Sequence, residues 1–115
     1  VSSSGIIDDT IAYITDHLQE ELSLEQLARQ ASLSPFYFSR LFKKETGYSP
    51  HEYVIQARVN AAKYFLQSAR LSQKDICYSC GFSSESSFCT TFKKATGLTP
   101  SQYRKNVSSE RWIQE

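Results

Sequence analysis

The sequence lacks the stretches that several classes of protein require. No apolar run approaches the roughly 18 residues needed to span a membrane, and no secretory signal peptide opens the chain. There is also no glycine-rich phosphate loop, no nucleophile-elbow motif and no carboxylate pair with a reason to lie close together. We therefore expect a protein that is neither an enzyme nor bound to a membrane.

Cysteine is scarce, and the three cysteines do not form a metal-binding set. Cys77 and Cys80 are two residues apart, but no second Cys-x-x-Cys pair and no nearby histidine completes four ligands. Both fall at inward-facing helical positions, so we expect small core residues, no metal and no cofactor. A redox role would need an exposure that this pattern does not predict. An odd cysteine count without a secretory signal favours a reducing, cytoplasmic setting.

The chain has almost no net charge, but its acidic and basic residues are unevenly distributed along the sequence. The net charge is only +1. Residues 1–34 nevertheless carry six acids against one base, and residues 35–115 carry twelve bases against six acids. This asymmetry suits contact between the later part of the chain and a polyanion such as nucleic acid.

One segment of the chain occurs twice. From Phe38 onward the two copies align with a shift of 50 residues, and upstream, up to the pair Ser34/Ser83, the shift is 49, so the second copy carries one extra residue where its basic helix begins. The paired positions include Phe38/Phe88, Phe42/Phe92, Lys43/Lys93, Lys44/Lys94, Gly47/Gly97 and Tyr53/Tyr103. Two related units within a chain of 115 residues is the interpretation that this pattern favours.

Strand-like alternation is absent, and capping signals divide the chain into helices. Helices are predicted to start at Ser34, Ser72 and Ser84 and to end at Gly47 and Gly97. We predict an all-α fold of about seven helices, with two helix-turn-helix units joined by a long central helix. Leu24, Leu27, Ala28 and Ala31 are predicted to point inward. The domain is predicted to span residues 6–106, between a disordered linker or cloning remnant (1–5) and a C-terminal tail (107–115). Its predicted elements are a first helix (about 6–21), a first helix-turn-helix (about 24–47), a linker helix (about 50–68), a second helix-turn-helix (about 73–97) and a short last helix through Arg104.

The second helix of each unit, its recognition helix, has a face suited to DNA. With Phe38, Leu41 and Phe42 inward, Phe36 and Arg40 share the opposite stripe. An exposed aromatic beside positive charge suits a thymine methyl and phosphates in the major groove. On straight B-DNA successive major grooves are about 34 Å apart, so two recognition helices held closer would require the duplex to bend.

A family resemblance rests on the segment Asp75-Ile76-x4-Gly81-Phe82-x5-Phe88-x3-Phe92-Lys93-Lys94-x2-Gly97-x-Thr99-Pro100-x2-Tyr103-Arg104 and on Arg58-Val59-x2-Ala62. With these residues the chain, over about residues 6–106, resembles the DNA-binding domain of AraC/XylS-type bacterial transcription regulators. The resemblance implies sequence-specific binding of promoter DNA, recruitment of RNA polymerase as an activator, and a cytoplasmic, nucleoid-associated location. It also implies a further N-terminal sensor, dimerisation or receiver domain, which this chain does not contain.

The expected contacts divide into bases and backbone. The resemblance implies base readout by Phe36, Ser39 and Arg40 in the first unit and by Glu85, Ser86 and Thr90 in the second. Contacts to the DNA backbone are expected from Ser23, Tyr37, Lys43, Lys44, Ser72, Lys74, Cys89, Lys93 and Lys94. Thr90 stands where the family often has a basic residue, so the second unit is expected to read sequence less than the first.

A second hypothesis stays open from the sequence. The basic faces could instead meet RNA polymerase or another acidic partner, as a helical protein-interaction module with weak, non-specific DNA binding. Sensitivity of DNA affinity to base sequence distinguishes the two hypotheses.

Overall fold

The computed structural model describes residues 3–68 and 70–114, and the side chains of residues 5–68 and 70–107. Regular structure within those residues is α-helical throughout, which confirms the all-α class and the seven helices. The helices are α1 (Ser3–Asp16), α2 (Leu24–Gln30), α3 (Pro35–Thr46), α4 (Pro50–Phe65), α5 (Gln73–Ser79), α6 (Glu85–Thr96) and α7 (Pro100–Gln114).

The chain divides into two compact units, Val1–Ala57 and Arg58–Glu115, and the boundary lies within α4. Each unit holds one helix-turn-helix, α2–α3 in the first and α5–α6 in the second. The repeat seen in the sequence is therefore a repeat of structure. The outer limits predicted for the whole domain, residues 6–106, stay a prediction.

The core of the first unit forms beneath its recognition helix α3. Phe38 and Phe42 are fully buried among Ile14, Leu27 and Ala28. The Phe42 ring also meets the Tyr53 ring edge-on, with 5.4 Å between centroids. Burial of these rings fixes which face of α3 points outward.

The second unit repeats this arrangement with its own residues. Phe88 and Phe92 of α6 are fully buried, and Phe92 meets Tyr103 edge-on at 5.4 Å. The Phe82 ring packs against Phe88 at 4.8 Å. Phe88 and Phe92 thus set the outward face of α6, as their counterparts do in α3.

The turn between the two helices differs by one residue between the units. In both, an amide after the turn bonds to a carbonyl of the first helix: Leu33 N to Ala28 O at 2.9 Å, and Phe82 N to Cys77 O at 3.0 Å. The helix caps that follow are Ser34 and Ser84. Ser83 is therefore the extra residue, which confirms the insertion, but Ser34 corresponds to Ser84 and the predicted pairing of Ser34 with Ser83 was wrong.

Both recognition helices end in the same way. Thr46 Oγ1 donates to the Phe42 carbonyl at 2.8 Å, and Thr96 Oγ1 does so to the Phe92 carbonyl at 2.8 Å. The next residues, Gly47 and Gly97, are left-handed, with φ of 83° and 86°.

Helices α4 and α7 begin with reciprocal caps, Ser49 with Glu52 and Thr99 with Gln102. The hydrogen bonds from Ser49 also lower the pKa of Glu52.

Several predicted helix limits were wrong. Helix α1 begins at Ser3 and ends at Asp16, because His17 N turns back to the Ile14 carbonyl and the imidazole Nδ1 donates to the Tyr13 carbonyl at 2.8 Å. Helix α4 ends at Phe65, and α7 continues to Gln114 where a short helix and a tail had been predicted. Of the predicted linker 1–5, Val1 and Ser2 lie outside the described residues, as do the side chains of Trp112 and Ile113.

Leu24 is the one predicted inward residue of α2 that lies at the surface, with 36% of its area exposed. Leu27 and Ala28 are buried as predicted, and Ala31 is half-buried. Leu24 is the first residue of a seven-residue helix. Periodicity gives the direction of a side chain but not whether another element covers it at the helix end.

Replacing Gly47 with alanine is expected to destabilise the first unit by about 1 kcal/mol, because an L residue is strained at a positive φ. The site has open space around the position of a Cβ, so the cost comes from the backbone alone. Urea unfolding followed by circular dichroism measures it. Gly47→Asn is the control and should cost less, since asparagine tolerates this conformation better. An alanine variant as stable as the original chain would contradict the expectation.

Candidate nucleic-acid interface

The outward face of α3 carries the residues predicted to read bases in the first unit. Phe36 is 73% exposed, an unusual position for a phenylalanine, and Arg40 is exposed one turn further along. Ser39 is half-buried at the edge of the same face. Lys43 and Lys44 follow, exposed in the last turn. The face therefore runs from an aromatic ring through a guanidinium to two ammonium groups.

Phe36 and Arg40 contact each other. The Arg40 guanidinium carbon lies 5.6 Å from the centroid of the Phe36 ring, within the range of a cation–π interaction. The contact follows from their i, i+4 spacing on α3, which stacks one side chain above the other. The two side chains together form one exposed surface with an apolar part and a charged part.

The outward face of α6 carries shorter side chains. Glu85 and Ser86 are exposed in the first turn, and Thr90 is exposed one turn later. Lys93 and Lys94 are exposed at the end of the helix, in the same positions as the lysine pair of α3. No large aromatic lies among them. The residues predicted to read bases thus form two sets, one on α3 and one on α6, in different units.

Of the residues predicted to contact the DNA backbone outside the lysine pairs, Tyr37 is 56% exposed. Ser72, the N-cap of α5, and Lys74 within α5 are also exposed. Ser23 is half-buried, and both its amide and its hydroxyl are bonded to Gln26 in the capping box of α2. A phosphate at this helix end would have to compete with the glutamine. Ser72 accepts a hydrogen bond from the Asp75 amide at 3.0 Å.

Two residues near the α6 face, Gln73 and Ser101, were not predicted from the sequence to have a role. Gln73 donates from Nε2 to the Sγ of Cys89 at 3.4 Å, and its Oε1 accepts from the Ser101 hydroxyl at 2.9 Å. The residues of these pairs are 16 and 28 positions apart, so no local pattern indicates the contacts. Cys89, predicted as a backbone contact, is half-buried on the flank of α6.

Arg104 is a further residue whose contacts the sequence did not reveal. Its Nε donates to the Leu66 carbonyl at 3.3 Å, and one terminal nitrogen donates to the carbonyls of Ser68 at 3.1 Å and Leu71 at 2.7 Å. The guanidinium thus ties α7 to the connection between α4 and α5 within the second unit. Arg104 is therefore a residue that holds α7 against this connection, and it is not part of the outward face of α6.

The pair Cys77 and Cys80 lies in the core of the second unit, as predicted. Both are buried, and burial raises the pKa of the Cys77 thiol and raises that of Cys80 to about 11. Thiols with raised pKa values are poor metal ligands and poor nucleophiles at neutral pH. In the part of the chain that the structure describes, no cluster of histidine, cysteine and carboxylate residues could hold a metal ion.

Within the described residues, no helix has the length and hydrophobicity that a membrane span requires.

The candidate site consists of the exposed faces of α3 and α6, each of which ends in a lysine pair. Neutral hydroxyls, an exposed ring and paired lysines can bind phosphates and base edges.

Comparison with known proteins identifies similar helix-turn-helix domains in transcription regulators. A family model described as a helix-turn-helix domain matches residues 27–106. The chain is 35% identical over 103 residues to the transcriptional activator RhaR of Escherichia coli (strain K12), covering 90% of this chain and 36% of that protein. It spans less than half of the length of the curated relatives that it matches first.

Two solved structures extend the likeness to the fold. The DNA-binding domain of the global transcriptional factor AdpA, in complex with a target DNA, superimposes with a TM-score of 0.87 at 30% identity, over 91% of this chain and 95% of that one. A transcriptional regulator of Chromobacterium violaceum, described as containing an AraC-type DNA-binding domain, gives a TM-score of 0.83 at 28% identity, over 91% and 94% of the two chains.

Proposed function

The chain belongs to the AraC-type family of helix-turn-helix DNA-binding domains, and on that premise we propose that its two units bind promoter DNA unequally. It is a DNA-binding domain that acts in transcription regulation and not an enzyme. In the proposal, α3 reads bases in one major groove, and α6 enters the next groove and mainly holds the backbone. The interaction-module hypothesis is not favoured, because the similar AdpA domain is in complex with a target DNA.

The observation that carries the proposal is the exposed Phe36–Arg40 pair. An arginine fork pairs with the O6 and N7 acceptors of guanine in the major groove, and an aromatic ring packs against the methyl group of thymine. The ring holds the guanidinium at 5.6 Å, which reduces the number of arginine conformations that binding must exclude. Ser39, at the edge of the same face, can bond to either kind of base edge.

The second unit offers less for direct readout. Ser86 and Thr90 have short side chains that can reach a base edge only where the helix lies deep in the groove. Glu85 can accept from a cytosine amine, and its charge also favours the N-terminus of α6 whether or not DNA is bound. The lysine pair Lys93 and Lys94 supplies phosphate contacts whatever the base sequence.

The rest of the regulator is also part of the proposal. Since the chain spans 36% of RhaR, we expect a longer protein in which an N-terminal sensor, dimerisation or receiver domain controls this one. We also propose that the whole protein recruits RNA polymerase as an activator and has a nucleoid-associated, cytoplasmic location; membership of the family supports both. Each of these statements concerns the whole protein.

Replacing Lys94 with alanine is expected to weaken binding to all duplexes alike. A lost phosphate contact removes about one released counterion, so the slope of log affinity against log salt should become smaller by about 0.9. Fluorescence anisotropy with labelled duplexes over a salt series measures both quantities. Lys105→Ala removes the same charge from an exposed position of α7 outside the proposed interface and should leave the slope unchanged. A Lys94 variant with altered base preference would contradict the assignment to the backbone.

A further inference from the structure

One glutamine side chain connects three helices of the second unit. Gln73, the first residue of α5, is half-buried and uses both ends of its amide: Nε2 donates to Cys89 of α6, and Oε1 accepts from Ser101 in the first turn of α7. An amide bonded at both ends is held in place between its two partners. The bridge therefore fixes the flank of α6 relative to the starts of α5 and α7.

The bridged flank adjoins the proposed backbone contacts. Cys89 lies one turn before Lys93 on α6, so the two side chains stand on the same side of the helix. Phe88 and Phe92 hold α6 from the core side, while Gln73 holds it from the edge. Together they restrict rotation of α6 about its own axis, which decides where Lys93 points.

No such bridge occurs among the described residues of the first unit. The corresponding positions are Leu24, Ser39 and His51, and a leucine can neither donate nor accept a hydrogen bond. Leu24 is 36% exposed at the start of α2. The bridge is thus a difference between two otherwise repeated units, and it lies in the unit with the weaker base-reading face.

We propose that Gln73 is a positioning residue for binding of the DNA backbone by the second unit. Through Cys89 and Ser101 it sets the flank of α6 at which phosphates are held. This inference rests on the proposed function. It explains why the second unit can hold the backbone with few long side chains: the helix that carries them is fixed before DNA arrives, so less freedom is lost on binding.

Gln73→Leu, which places the residue of the first unit in the second, tests the proposal. We expect binding to cognate and scrambled duplexes to weaken equally, by about three- to tenfold, the size of one lost hydrogen bond. The slope of log affinity against log salt should become smaller by up to about 0.9. The readout is anisotropy over a salt series, with circular dichroism melting of the free protein alongside. Gln30→Leu, the same substitution at an exposed end of α2, is the matched control and should change none of these.

A double-mutant cycle separates positioning from general destabilisation. Cys89→Ala should weaken binding in the original chain but add much less in the Gln73→Leu background. If Gln73→Leu unfolds the second unit, Ser101→Ala removes one end of the bridge and should still reduce the salt slope. Unchanged affinity and slope in folded Gln73→Leu would overturn the inference. Failure of the original chain to bind any duplex would instead overturn the proposed function.

Discussion

Arg104→Ala is expected to lower the free energy of unfolding of the second unit by about 2–3 kcal/mol, since hydrogen bonds from a charged donor contribute more than neutral ones. The change removes three hydrogen bonds, to the carbonyls of Leu66, Ser68 and Leu71. These carbonyls belong to residues of the connection between α4 and α5. Urea unfolding monitored by far-ultraviolet circular dichroism measures the loss.

Two further variants make this expectation specific. Arg104→Lys keeps the charge but has a single ammonium in place of the planar fork, so it should recover only part of the stability. Lys105→Ala, at the exposed neighbouring position, should unfold like the original chain. An Arg104→Ala variant within about 0.5 kcal/mol of the original chain would show that water replaces the guanidinium at no cost.

The first unit has an apolar residue at the position that corresponds to Arg104. Val54 occupies the position of the first unit that corresponds to Arg104, and it is only 3% exposed in the hydrophobic core. One repeat therefore fills the position with an apolar side chain, and the other uses it to satisfy three backbone carbonyls. The two units are alike in backbone but differ in how they are held together.

Arg40→Ala is expected to weaken binding to the cognate duplex by about 1–3 kcal/mol, the usual size of a bidentate contact with guanine. Binding to scrambled duplexes should fall much less, because only one charge is lost. A cognate duplex is first obtained by selection from random sequences. Anisotropy with the selected and scrambled duplexes then gives the ratio of the two affinities.

Substitution of Phe36, whose ring contacts Arg40, provides a second test of base reading by α3. Phe36→Ala should also reduce the preference for the cognate duplex, through loss of the thymine contact and of the ring that holds the guanidinium at 5.6 Å. Arg29→Ala, an exposed arginine of α2, is the charge-matched control and should keep the preference. Equal losses on cognate and scrambled duplexes for Arg40→Ala would place this residue on the backbone.

The sequence predicted those features whose causes are local. Ser34, Ser72 and Ser84 cap their helices as predicted, because a cap bonds to an amide three residues later. The inward faces of α3 and α6 were also predicted correctly, since the aromatic residues recur at helical spacing. Gly47 and Gly97 end these helices as predicted.

Features that depend on distant partners were not predictable. The bridge of Gln73 and the contacts of Arg104 join residues 16 to 38 positions apart. The early end of α1 depends on the His17 side chain bonding to Tyr13 O, which competes with continuation of the helix. Leu24, the first residue of α2, keeps 36% of its area exposed, and periodicity does not report how far a side chain is covered.

The unequal roles of the two units are tested most directly by the ratio of affinities for selected and scrambled duplexes, measured at one salt concentration for Arg40→Ala and Lys94→Ala. We expect the ratio to collapse towards one in Arg40→Ala and to stay at its original value in Lys94→Ala, although the second variant binds both duplexes more weakly. A preserved ratio in Arg40→Ala together with a collapsed ratio in Lys94→Ala would contradict the assignment of base reading to α3 and backbone binding to α6.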